Sequence, residues 1–101
     1  MNDSAQRPDA PVAAPVGTGI LVYGAMWCSD CRRSKGLLDR LGVAYSWVDL
    51  EAEPDQVAEV TSRNEGRQRI PTIVFGDGSW LSEPSDPQLR ARLDSLGITT
   101  R

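Results

Sequence analysis

The sequence predicts an α/β domain: one mixed four-stranded sheet built in the order β-α-β-α-β-β-α, with helices on both faces. Three observations predict it. Two short runs of β-forming apolar residues, Ile20-Leu21-Val22-Tyr23 and Thr72-Ile73-Val74-Phe75, suit strands buried on both sides. A strand-helix-strand pattern over the first half demands a parallel crossover, whereas Asp77-Gly78 between two strand-like runs signals an antiparallel hairpin with a two-residue turn. At 101 residues the chain has room for one such core and not for two.

Each element has a local reason. The first strand is Ile20 to Tyr23. Arg32 to Leu41 reads as a helix with Leu37, Leu38 and Leu41 on one face, stopped by Gly42. Ala44 to Leu50 alternates, with Tyr45, Trp47 and Asp49 on one side and Ser46 and Val48 on the other. Pro54-Asp55 opens a second helix whose Val57, Ala58 and Val60 can face the core, and Gly66 ends it. Ile70-Pro71 leads into the third strand, and Ser79 to Ser82 returns from an Asp-Gly turn as the fourth. Ser85 or Asp86 caps a last helix in which Leu89, Leu93 and Leu96 recur at helical spacing before Gly97. Residues 1–18, with Pro8, Pro11 and Pro15 and no apolar periodicity, are expected to be a disordered tail, leaving 19–101 as the domain.

Composition excludes several function classes. There is no histidine, so Ser-His and Cys-His catalysis are ruled out. No run approaches the roughly 18 apolar residues of a membrane span. The 14 acidic residues against 11 basic ones give a net charge of −3, which argues against a nucleic-acid partner. The start of the chain lacks a secretory pattern, so the cytoplasm is the expected compartment. A monomer is the expected state.

The only two cysteines stand together as Cys28-Ser29-Asp30-Cys31, where the first strand hands over to the first helix. Unpaired N–H groups and the positive end of the helix dipole converge there, and both favour a thiolate. Arg32, Arg33 and Lys35 add positive charge nearby, and Asp30 opposes them. Cys31, one turn further in, should be the more buried and within reach of a mixed disulfide formed at Cys28. A structural disulfide explains the spacing poorly, because closing a four-residue loop removes only about 2 kcal/mol of chain entropy, against about 5 for a hundred-residue loop. A metal site would need carboxylates or a second chain to complete two thiolates. Redox chemistry is the favoured reading. A non-catalytic thiol module that senses oxidation or binds metal remains the alternative class.

Ile70-Pro71 should meet the cysteine loop, and a cis peptide there would leave the Ile70 backbone able to pair with an incoming disulfide. Arg63, Arg67 and Arg69 precede that element, so with Arg32, Arg33 and Lys35 they could form a cationic collar for an acidic or carboxylate-bearing thiol. Solvated helix faces would explain the same charges. Trp27 could wall the site.

Trp27-Cys28-Ser29-Asp30-Cys31, Ile70-Pro71-Thr72, and Asp77-Gly78-Ser79 with Pro84-Ser85 resemble the glutaredoxin-like proteins of the thioredoxin superfamily, and among these the mycoredoxins. The resemblance runs from about Gly19 to Ile98. It implies the thioredoxin/glutaredoxin fold and reduction of mixed disulfides between proteins and mycothiol, the small thiol of actinobacteria. Cys28 would be the nucleophile, Cys31 the resolving thiol and Pro71 the cis-proline, with Trp27, Arg69, Ile70 and Pro71 touching substrate. The cosubstrate would be a small thiol and no cofactor would be tightly bound. Glu83-Pro84 stands where glutaredoxins carry the glycine pair that cradles glutathione, which argues for mycothiol over glutathione. A redoxin reduced directly by a flavoprotein reductase is the runner-up within the enzyme class.

Overall fold

The computed structural model describes residues 19–100. The expected tail over 1–18 lies outside the described residues. The elements are β1 (Leu21–Gly24), α1 (Ser29–Arg40), β2 (Ser46–Asp49), α2 (Val57–Arg63, entered through a 3-10 turn at Pro54–Gln56), β3 (Thr72–Val74), β4 (Trp80–Ser82) and α3 (Asp86–Ser95). They form one sheet in the order β2-β1-β3-β4. β1 and β2 are parallel, joined across α1, while β1/β3 and β3/β4 are antiparallel.

The two sheet faces bury different residues because a strand alternates sides. Val22 and Ile73 point to one face, where they meet Leu37, Leu38 and Leu41 of the α1 region and Leu89 and Leu93 of α3. Tyr23, Val48 and Val74 point to the other, against Val60 of α2. Helices therefore cover both faces, as the sequence predicts. A helix of seven residues such as α2 is unstable alone. Its attachment rests on Val60, which is fully buried, a contribution of about 1.5–3 kcal/mol.

Four local expectations are corrected. The first helix starts at Ser29 rather than Arg32, because Cys28 is itself the N-cap and its side chain takes the place of the usual hydroxyl or carboxylate. Ala58 is exposed. So short a helix presents only Val60 fully, with Val57 half-buried three residues earlier. The same helix ends at Arg63, and the chain reverses through Asn64, Glu65 (φ 57°) and Gly66 (φ 85°). The hairpin has a three-residue loop, Gly76-Asp77-Gly78, closed by Phe75 N–H to Ser79 C=O (2.8 Å) and Gly78 N–H to Phe75 C=O (2.9 Å). Gly78 takes the left-handed conformation (φ 90°), the pattern of a loop ending in a glycine bulge. Asp77 Oδ1 accepts from both Ser79 N–H and Ser79 Oγ–H, which holds the loop in that form.

The last helix starts as expected. Ser85 Oγ accepts from Gln88 N–H and Gln88 Oε1 accepts from Ser85 N–H, a reciprocal cap that satisfies two otherwise orphaned donors.

Candidate active site

The chain leaves β1 through Ala25, Met26 and Trp27 and enters α1 at Cys28. Cys28 has extended backbone (φ −80°, ψ 116°), and its Sγ accepts from Cys31 N–H at 3.1 Å. That N–H is one of the first-turn donors without a helical partner, so a donor dipole points straight at the sulfur. Cys28 keeps 8% of its surface exposed and Cys31 keeps none. Burial, then the hydrogen bond with Cys28, pushes the Cys31 thiol up to about 12. The two sulfurs are thus unlike: one at the rim under a donor, one buried as a neutral thiol. Both are free thiols.

Ile70-Pro71 does meet this loop. The Ile70–Pro71 peptide is cis, and the Cys28 thiol points at Ile70 C=O across 4.0 Å. A buried polar network holds the segment. Thr72 Oγ–H donates to Arg69 C=O (2.6 Å) and accepts from Asn64 Nδ2 (3.1 Å). Asn64 also donates to Val60 C=O and accepts from Ser82 Oγ–H. Three elements are thereby tied behind Pro71. Asn64→Ala should cost about 1–3 kcal/mol, since it strands polar groups away from water. Thermal unfolding checks this, and each kcal/mol lowers the Tm by about 4–8 °C in a domain this size.

The six basic residues do not form a continuous collar. Arg33 pairs with Asp30 (3.0 Å) and Asp86 (3.4 Å) and donates to Pro84 C=O (3.0 Å), so it joins α1 to the start of α3. Arg69 pairs with Glu83 (3.6 Å), whose N–H is donated to Pro71 C=O. Arg63 pairs with Glu59 (3.1 Å) and lies over Trp80, on the α2 side of the sheet. Lys35 sits 3.9 Å over the Trp47 ring, and Arg32 donates to Met26 C=O. Each of these five is held by a partner, and carboxylates oppose three of the guanidinium groups. Arg67 is exposed. Trp27 is 66% exposed beside Cys28, with its Nε1–H on Glu51 (2.7 Å), so it flanks the sulfur rather than burying it.

Sequence reasoning missed Gly24 and the Asn64-Thr72-Ser82 network. A Cβ on Gly24 would stand 2.5 Å from Cys31 Sγ and 2.9 Å from the Trp47 ring, so only glycine leaves room for the buried thiol. A glycine ending a strand just before a cysteine pair was the available signal. Nothing in the order of residues marks the polar network.

A family model described as Glutaredoxin matches residues 20–80, which span both cysteines and the Ile70-Pro71 element. This chain belongs to the glutaredoxin family. Among its relatives, a Mycobacterium tuberculosis protein with a glutaredoxin name is 35% identical over 77% of this chain and 93% of its own length. Mycoredoxin 1 of Corynebacterium glutamicum is 27% identical over 78% of this chain and 98% of its own. The solved structure of the glutaredoxin-like NrdH-redoxin from Escherichia coli has a TM-score of 0.54 over 70% of this chain, at 24% identity, and supports the thioredoxin-like fold alone. As a member of the glutaredoxin family, the protein is a thiol–disulfide oxidoreductase. Among the described residues no helix is long and apolar enough to cross a membrane.

Proposed function

We propose that this glutaredoxin reduces mixed disulfides between proteins and a small thiol, with mycothiol preferred to glutathione, and that Cys28 is its nucleophile. The observation that carries the reading is the unlike pair: a rim sulfur under the Cys31 N–H, with a neutral thiol buried behind it. Cys28 thiolate attacks the small-thiol sulfur of the mixed disulfide. That bond breaks, the protein substrate leaves as a thiolate and takes a proton, and the small thiol is now bonded to Cys28. A second molecule of small thiol then attacks that sulfur, leaving as a small-thiol disulfide and restoring Cys28. Alternatively, Cys31 attacks Cys28, releases the small thiol and leaves a Cys28–Cys31 disulfide.

Ile70 contributes its backbone next to Cys28, where an incoming extended segment can pair as an added strand against Pro71. Trp27, the residue before Cys28, offers an exposed aromatic face. Arg69, next to Ile70 in the chain, is paired with Glu83, whose carboxylate opposes any pull of its guanidinium on the two carboxylates of glutathione. That charge balance, together with the mycoredoxin relative, supports a preference for mycothiol.

The test uses reduced Cys31→Ser protein and one model protein carrying either mycothiol or glutathione in disulfide linkage. Mycothiol should be removed at least about tenfold faster, a barrier difference of about 1.4 kcal/mol. Equal or faster removal of glutathione overturns the preference. Removal of neither overturns the mixed-disulfide reading and points to reduction by a flavoprotein.

A further inference from the structure

Cys31 lies in the first turn of α1, yet no part of it reaches solvent. A side chain from another element meets it there. The single point where a Gly24 Cβ would stand is 2.5 Å from Cys31 Sγ and 2.9 and 3.1 Å from Cη2 and Cζ3 of Trp47. The thiol and the edge of the indole therefore share one socket, floored by a glycine. Trp47 also packs on the small cluster of Ala25, Cys28 and Cys31. Lys35 sits over the ring, with its ammonium 3.9 Å from the ring centroid. Cys31 and Lys35 are four residues apart and so lie on one helix face. They bracket the indole, the cation on its face and the thiol at its edge. A cation over an indole face favours that ring orientation.

We propose that Trp47 is a positioning residue that walls Cys31 from water and thereby sets how often a mixed disulfide at Cys28 closes onto Cys31 rather than waiting for a second small thiol. This rests on the mixed-disulfide reading above. Closure requires Cys31 to release a proton to water. Its thiolate then attacks the Cys28 sulfur, the bond from Cys28 to the small thiol breaks, and the small thiolate leaves and takes up a proton. In this step the Cys31 sulfur is oxidised to the disulfide level and the departing small-thiol sulfur is reduced to a thiol, while Cys28 stays in a disulfide throughout. Walling off water opposes the first of these steps, and the burial that pushes the Cys31 thiol upward acts in the same direction. The attack of a free thiol on Cys28 needs no deprotonation of Cys31. The wall therefore slows one branch and spares the other.

The experiment loads Cys28 of the full chain with glutathione from oxidised glutathione, removes excess reagent, and follows release of glutathione by mass spectrometry of quenched samples. Trp47→Leu should speed first-order closure by about tenfold, and Trp47→Phe, which restores an aromatic wall, should return it to within about twofold of the parent. In the Cys31→Ser background, Trp47→Leu should leave the rate of mixed-disulfide formation at Cys28 unchanged, which a general loosening of the fold would not do. Unchanged or slower closure in Trp47→Leu overturns the proposal. So does a rise in Trp47→Phe equal to that in Trp47→Leu. If Trp47→Leu does not fold, Lys35→Met frees one ring face without opening a cavity and must show faster closure, or the proposal falls. A Cys31→Ser protein that forms no mixed disulfide at Cys28 with either oxidised glutathione or oxidised mycothiol overturns the redox reading itself, which separates the two failures.

Discussion

Cys28→Ser abolishes reduction of a mixed disulfide, and Cys31→Ser leaves it within about tenfold of the parent: this is the largest difference expected between two single-atom changes in the protein. A serine hydroxyl at position 28 can still accept the Cys31 N–H and cap α1, so the fold survives. It cannot act as the sulfur that exchanges. Cys31 is fully buried and its thiol is raised to about 12, so it is not available to substitute for the lost rim sulfur. Removing Cys31 takes away only the intramolecular branch, and a free thiol can still release Cys28, a barrier change of less than about 1.4 kcal/mol. Single-turnover assays on both variants with a thiol-modified model protein check this. Equal loss in both would mean that turnover depends on the dithiol pair throughout. Alkylation of the reduced parent at neutral pH should give the same order, with one label at Cys28 before any at Cys31.

Gly24→Ala is expected to be the most damaging one-methyl addition at the site. The new Cβ would lie 2.5 Å from Cys31 Sγ and 2.9 Å from Trp47, closer than real side chains approach. The indole cannot simply move, because Lys35 covers one of its faces and the core cluster of β1 and α1 lies beside it. Overpacking of this kind costs about 1–3 kcal/mol, and each kcal/mol should lower the Tm by about 4–8 °C. Thermal unfolding of the reduced protein measures the loss. Adding Cys31→Ala removes the nearer of the two clashes, so the double variant should recover part of the stability lost in Gly24→Ala, a coupling expected only of residues in contact. A neutral Gly24→Ala would show that the socket yields, and would weaken the account of why Cys31 is dry.

How much of the site the sequence disclosed follows from how local each signal was. Cys28 and Cys31 were legible because two cysteines three apart at a strand-helix junction carry their chemistry in their own spacing. Ile70-Pro71 could be placed against them because the order of elements sets which loops share an end of the sheet. Between a cationic collar and solvated helix faces the sequence leaves the choice open, and in the structure carboxylates oppose three of the six basic groups. The acidic partners of Arg33 and Arg69 include Asp86 and Glu83, residues far along the chain that only folding brings close. Charge counted along a sequence says nothing about which carboxylate will neutralise it.

The element order, the two-sided burial of β1 and β3, the parallel and antiparallel pairings and the position of the cysteine pair were determined by the sequence itself. Apolar periodicity and turn chemistry act over a few residues, so they can be read without knowing what lies opposite. Tertiary structure alone decided that Cys28 caps its own helix, that Asn64, Thr72 and Ser82 pin the Pro71 segment, and that Gly24, Cys31 and Trp47 occupy one socket. These features join residues from separate elements across the sheet. Close packing fixes their distances to fractions of an ångström, and no local preference encodes such a distance.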